Sequence, residues 1–236
     1  MLGFRGLALP SWLRAFEKEH GLGGVILFDR DVQLGGVRNV ESPAQVSALC
    51  AAVHSLPSRP LVFVDQEGGP VRAFRELPPG RAPRAYTRAA EALAAGRETG
   101  RALRRSGVHV DLAPVLDSAD GPLGSRHFRS PSLGVAFARG LAAGGAATCA
   151  KHFPGLGSAS ISTDLRPHVE AVVRDREVAA FRSAVRAGVP CVMTSHAFYP
   201  SLGSRYRASL QPSTYRLLRS LGFEGVAITD SLSLVR

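Results

Sequence analysis

Leu61-Val62-Phe63-Val64-Asp65-Gln66-Glu67-Gly68-Gly69 is the stretch on which the fold turns. Four apolar residues run without polar alternation, so a strand here is covered on both faces, as in a parallel sheet flanked by helices. A carboxylate closes the run, and two glycines then supply the backbone freedom of a tight turn. The same pattern recurs along the chain. Apolar runs are predicted as strands at Leu2–Phe4, Gly24–Phe28, Leu61–Asp65, His109–Leu112, Thr148–His152, Cys191–Ser195 and Gly225–Thr229. Between them, amphipathic stretches predict helices over Pro10–His20, Pro43–Leu56, Arg88–Ser106, Ser132–Gly144, Asp175–Ala187 and Pro212–Leu221. Strands alternating with helices of this length predict βαβ units. The Pro-rich stretches Arg75–Thr87 and Ser118–Pro131 are expected as loops.

The strand ends carry the chemistry. Asp65, Asp117, Lys151-His152, Ser195-His196 and Asp230 each follow an apolar run at its C-terminal end. In a (β/α)8 barrel that rim is the active face, so the register of these residues predicts a TIM-type α/β barrel enzyme. With 236 residues and no visible linker, one barrel domain over 1–236 is expected.

Composition excludes several classes. A hydrophobic share of 45% and a charged share of 20% exclude a disordered chain. No run reaches the ~18 apolar residues of a membrane span. The start, Met1-Leu2-Gly3-Phe4-Arg5-Gly6, shows no basic region followed by a long apolar core, so a cytoplasmic protein is expected. The net charge of +10 raises the question of nucleic acid, but the arginines are scattered and never form a block. No nucleic-acid partner is expected. Only Lys18 and Lys151 are lysines, which makes Lys151 conspicuous. Cys50, Cys149 and Cys191 lie far apart in apolar segments and read as buried free thiols, with no metal spacing.

Seven stretches together resemble glycoside hydrolase family 3, in its β-N-acetylhexosaminidase type. They are GGVILFDRDV (23–32), FVDQEGGPVRAFRE (63–76), DLAPVLD (111–117), SRHFRSPSLG (125–134), KHFPGLG (151–157), VMTSHAFYP (192–200) and GFEGVAITDSLSL (222–234). They follow the family's order and cover nearly the whole chain. The resemblance implies a TIM barrel that removes terminal β-linked N-acetylglucosamine, often from cell-wall fragments. It implies a retaining mechanism with a carbohydrate substrate and neither metal nor cofactor. Asp230 matches the nucleophile, which retaining chemistry requires as an ionised carboxylate beside the anomeric carbon. By itself Asp230 reads equally well as a helix N-cap. Asp65, Lys151, His152 and Arg126 match sugar-binding positions, with Lys151 expected beside Asp230, where its charge would keep that carboxylate ionised. Arg72 and His196 are further substrate-binding candidates. His196 and Asp117 also read as satisfied core polar groups, and Glu67 as part of the turn.

Two departures bear on activity. The family's KHFPGHG, followed by Asp-Ser-His, supplies a His–Asp acid/base. Here Leu156 replaces the second His, and Ser162-Thr163-Asp164 occupies the later positions. Three readings are open. Asp164 is itself the acid/base, in the two-carboxylate arrangement of roughly 5–5.5 Å; or His168 swings in; or no competent acid exists. The second departure is length. Six residues follow Asp230, so the eighth βα unit of a closed barrel is missing and a truncated copy with unpaired outer strands is expected. A sugar-binding remnant without turnover and a β-glucosidase-like enzyme are the alternative functions, and the oligomeric state is not legible.

Overall fold

The computed structural model describes residues 1–31, 34–118, 120–203 and 205–232; Val32 and residues 233–234, at the ends of two of the motifs, lie outside them. Seven strands form one parallel sheet: β1 (Leu2–Gly3), β2 (Gly24–Leu27), β3 (Leu61–Val64), β6 (Val110–Asp111), β7 (Ala147–Phe153), β8 (Cys191–Thr194) and β9 (Val226–Thr229), in that spatial order. The sheet curls into a TIM-barrel-like α/β half-barrel. Helices α1 (Ser11–His20), α2 (Pro43–His54), α3 (Ala89–Arg105), α4 (Pro131–Ala143), α5 (Asp175–Arg186) and α6 (Pro212–Ser220) connect successive strands. All seven strands and six helices fall where the apolar runs place them, within a residue or two at most ends. None of these helices is long and apolar enough to cross a membrane.

The core forms in layers on either side of the sheet. Val25, Leu27, Val62 and Val64 pack outward with Leu13, Val46, Leu49 and Val53 of α1 and α2. Phe63, Val110, Leu112, Cys149, Cys191 and Met193 form a cluster of their own, to which Ile26 and Ile228 add. The continuous apolar strands predicted from sequence are thus strands with two buried faces.

Two features depart from the sequence reading. Asp65-Gln66-Glu67 does not simply end a strand. Gln66–Gly68 (β4) turns back antiparallel on Val71–Arg72 (β5) in a two-stranded hairpin. Gly68 (φ +106°) and Gly69 (φ +58°) make the reversal, in a backbone region that other residues avoid. The Gln66 side chain braces the hairpin, its amide donating to the Phe74 and Pro78 carbonyls and its Oε1 accepting from Phe74 N–H. The second departure corrects the thiol assignment. Parallel pairing of β7 with β8 sets Cys149 directly opposite Cys191, with Cα atoms 4.3 Å apart, and the two form a disulfide across 42 residues of chain. Cys50 remains free and buried, and burial pushes its thiol up to about 12.

Candidate active site

The C-terminal strand ends converge as the rim pattern requires. Lys151, late in β7, is buried, and Nζ donates to Asp65 Oδ1 at 2.5 Å and to Glu67 Oε1 at 2.6 Å. Arg126, on a short 3-10 turn (Gly124–Arg126), grips the same Glu67 in bidentate fashion, Nε to Oε2 at 2.9 Å and Nη2 to Oε1 at 2.8 Å. Two carboxylates therefore balance two cations. Burial alone would raise the Glu67 carboxyl, but Lys151 and Arg126 outweigh it and hold the group down at about 2. Burial opposes the Lys151 charge, and Asp65 and Glu67 override that opposition, so its pKa is raised. The Asp65 carboxylate keeps partial solvent exposure of 24%, so it can meet a ligand while anchored to Lys151.

Glu67 is the site residue that sequence reasoning missed. Read as part of the turn, it is 1% exposed and is the shared counter-ion of the two basic side chains. Its signal was present, since a buried Glu between strand and turn needs cationic partners. The ion-pair partners of Lys151 are Asp65 and Glu67.

His152 follows Lys151 and is held differently. Its Nδ1–H donates to Asp117 Oδ2 at 2.7 Å, and Asp117 Oδ1 also accepts the Leu156 N–H at 2.6 Å. Burial disfavours the imidazolium, but Asp117 and then Asp230 outweigh it and raise the His152 pKa. The imidazole thus lies near enough to Asp230 for that carboxylate to favour its charged form, while Lys151 opposes it. The Asp230 backbone N–H donates to the Thr194 carbonyl at 3.1 Å, continuing the β8–β9 register, and its Oδ1 accepts from Ser231 N–H at 2.7 Å.

Two further substrate-binding candidates are held by neighbouring protein groups. His196 is fully buried; its Nε2–H donates to the Ser231 carbonyl at 2.8 Å, leaving Nδ1 to accept from the Ser209 hydroxyl at 2.7 Å. Both ring nitrogens are engaged, so it steadies the segment after Asp230 and has none left for a sugar. Arg72 turns back on its own hairpin, with Nε on the Gly69 carbonyl at 3.0 Å and Nη1 on the Arg75 carbonyl at 2.9 Å. Of the acid candidates, Asp164 lies at the edge of the cluster, 3.9 Å from Arg126 Nη1 and half exposed. His168 stacks on Phe198 with ring centres 4.4 Å apart and stays largely exposed. Leu156, in place of the family's second His, is buried in a cluster with Val115, Val169, Ala197 and Tyr199. Among the described residues no group of three or more His, Cys, Asp or Glu side chains is placed to hold a metal ion.

Behind the site, Asp111 at the end of β6 is fully buried. Its Oδ1 accepts Gln66 N–H at 2.9 Å, while Oδ2 has no hydrogen-bond partner. Burial pushes its carboxyl up to about 8; the Gln66 N–H and Lys151 oppose this, and Asp65 and Glu67 add to it. The native state therefore keeps a proton that the unfolded chain has lost. Stability relative to Asp111→Asn should be greatest below the ordinary Asp range. It should decline as pH rises towards about 8 and be level beyond it. Urea midpoints of both proteins across that range check the sign; wild type gaining stability over Asp111→Asn as pH rises would show Asp111 ionised in the native protein.

The described strands thus form a curled parallel half-barrel with an ion-paired carboxylate and lysine at its strand ends and a further aspartate closing the last described strand. The chain belongs to glycosyl hydrolase family 3, whose N-terminal domain model matches residues 11–236. It is 35% identical over 243 residues to a β-hexosaminidase of Thiobacillus denitrificans, covering 90% of this chain and 64% of that relative. A β-hexosaminidase of Alkalilimnicola ehrlichii is also 35% identical, over 99% of this chain and 72% of the relative. Among solved structures, a family 3 β-N-acetylglucosaminidase from a Paenibacillus species superposes with a TM-score of 0.86 at 31% identity, covering 99% of this chain and 48% of that one. NagZ from Neisseria gonorrhoeae in complex with N-trifluoroacetyl-D-glucosamine gives 0.86 at 26% identity, over 99% of this chain and 74% of the other. The chain thus spans under two thirds of the Thiobacillus relative and about half of the Paenibacillus enzyme.

Proposed function

We propose that this chain is the catalytic barrel of a retaining glycoside hydrolase that removes terminal β-linked N-acetylglucosamine, as found in cell-wall glycans. The observation that carries the reading is the Asp65–Lys151–Glu67–Arg126 cluster at the strand ends. A carboxylate held by a buried ammonium is well suited to accept sugar hydroxyls, because its geometry is set before the ligand arrives. In this reading Asp65, Lys151, Arg126 and His152 bind the pyranose. Asp230 attacks the anomeric carbon to form the glycosyl-enzyme as the leaving oxygen takes a proton, and water then releases the sugar. The β-hexosaminidase relatives and the N-trifluoroacetylglucosamine complex of the Neisseria protein favour an acetamido sugar over glucose. Release of chromophore from an N-acetylglucosaminide, with none from the matching glucoside, tests this; the reverse preference would overturn it.

Asp164 is assigned the acid/base role. It reaches the sugar cluster through Arg126, whereas His168 is held on Phe198. Replacing Asp164 with Ala should lower kcat by about 10²–10⁴-fold for a substrate with a poor leaving group. With an activated leaving group the loss should be smaller, and added azide should restore turnover by intercepting the glycosyl-enzyme. An unchanged rate in an active preparation would remove the assignment.

A second reading rests on the acid/base segment. Ser162-Thr163-Asp164 stands where the family has Asp-Ser-His, so no His–Asp pair occupies that position, and a sugar-binding barrel without turnover is the alternative. Stabilisation by N-acetylglucosamine in a thermal shift, without product release, would establish it. The Cys149–Cys191 disulfide fits an oxidising compartment, against the cytoplasmic expectation.

A further inference from the structure

Glu177, the third residue of α5, lies outside the strand-end rim and carries none of the chemistry above. It is 1% exposed. Its Oε1 accepts two backbone N–H groups from two different loops, Ser118 at 3.0 Å and Gly157 at 2.7 Å. The neighbouring residue of each donor is part of the site's own clamp: Asp117 accepts from Leu156 N–H and from the His152 imidazole. The two carboxylates thus cross-link the segment after β6 to the segment after β7 as adjacent rungs. Tyr199 adds a third tie, its hydroxyl donating to the Gly155 carbonyl at 2.7 Å.

The steric fit is as tight as the hydrogen bonding. A Cβ on Gly155 would stand 2.5 Å from Glu177 Cβ, and one on Gly157 would stand 2.5 Å from Glu177 Oε1 and closer still to Ser118 Oγ. Both glycines of the KHFPGLG segment are therefore dictated by the packed Glu177 side chain, and Gly155 additionally by its φ of +125°. Such an interlock fixes the backbone on which His152 sits. Neither Asp65 nor Lys151 is among the hydrogen-bond partners of Glu177, which are the Ser118 and Gly157 backbones.

We propose that Glu177 is a positioning residue: through the Ser118 and Gly157 backbones it sets the Asp117–His152 pair relative to Asp230, and so governs turnover more than sugar affinity. Burial raises the Glu177 carboxyl above the ordinary range, against the two backbone donors. A glutamine carbonyl can fill the same acceptor role towards the two N–H groups.

The turnover part of this inference rests on the glycosidase reading, so the test includes a measurement that does not. In Glu177→Ala the two N–H donors lose their acceptor, the loop relaxes, and kcat should fall by about 10²-fold, the scale expected of a displacement of about 1 Å. KM should rise by less than kcat falls, because Asp65 and Lys151 keep their contacts and only His152 among the sugar-binding residues shifts. Glu177→Gln should recover most of the lost kcat. Independently, nitrogen NMR of the His152 imidazole should show its raised pKa falling towards the ordinary value in Glu177→Ala but not in Glu177→Gln. Should Glu177→Ala fail to fold, Glu177→Asp, which shortens the arm by one methylene, should show the same imidazole shift in weaker form. An unaltered His152 titration in a folded Ala or Asp variant would overturn the proposal, as would a loss appearing in KM alone. A wild-type protein without hydrolysis would refute the glycosidase reading, while the imidazole titration would still decide for or against Glu177.

Discussion

Replacing Asp230 with Asn should abolish turnover of an N-acetylglucosaminide, lowering kcat by about 10⁴-fold or more, the scale seen when a catalytic nucleophile is removed. Local geometry makes this substitution a clean test. The Asp230 backbone is held by Thr194 across the β8–β9 pairing, and Oδ1 accepts from Ser231 N–H, a bond an asparagine carbonyl keeps. Size and hydrogen bonding are preserved, and only the negative charge and its nucleophilicity are lost. Sugar affinity, governed by Asp65 and Lys151, should be little changed. Steady-state kinetics with intact-mass detection of the glycosyl-enzyme separates the two effects: wild type should show the adduct and the variant none. A variant within tenfold of the wild-type rate would place the nucleophile elsewhere.

The second large effect is on stability. Glu67→Gln removes the common counter-ion of Lys151 and Arg126 while leaving both cations in place. Breaking a buried pair from one side leaves uncompensated charge, which costs about 3–5 kcal/mol. Asp65 can still balance Lys151, so the penalty should fall mainly on Arg126. Its bidentate bonds would be exchanged for a single amide oxygen. The pH dependence follows from the lowered carboxyl. Because Glu67 titrates at about 2 in the folded protein and at an ordinary 4.5 when unfolded, its ionisation stabilises fully above that upper value. That stabilisation is lost as pH falls towards about 2, so the gap between wild type and Glu67→Gln should narrow in acid. Urea unfolding midpoints at neutral and acid pH provide the measurement; a neutral-pH difference under about 1 kcal/mol would mean solvent screens the cluster as it does a surface pair.

The roles of Glu67 and Lys151 mark where linear reading stops. Lys151 stood out because the chain writes nearly all its positive charge as arginine, and the strand-end position of Asp65 followed from the apolar run before it. Their mutual contact joins residues 86 apart and exists only because β3 and β7 curl towards a shared rim. His196 and Arg72 show the converse. Each carries a side chain suited to a sugar and sits beside a family motif. Yet His196 donates to the segment after Asp230, and Arg72 closes its own hairpin. Residue type and neighbourhood were readable for both, but side-chain direction was not.

By itself the sequence determined the alternation of buried strands and amphipathic helices, the parallel topology and the set of polar residues at the strand ends. All of these follow from local hydrophobic patterning and from the two-faced burial that a parallel sheet imposes. Only the tertiary structure decided the partners: Cys149 with Cys191, Glu67 with Lys151 and Arg126, Glu177 with the backbones of Ser118 and Gly157. The physical reason is that each pairing depends on strand register and loop closure across dozens of residues. No periodicity in the chain encodes those distances, and buried polar groups take whichever partner the closed fold brings within hydrogen-bond reach.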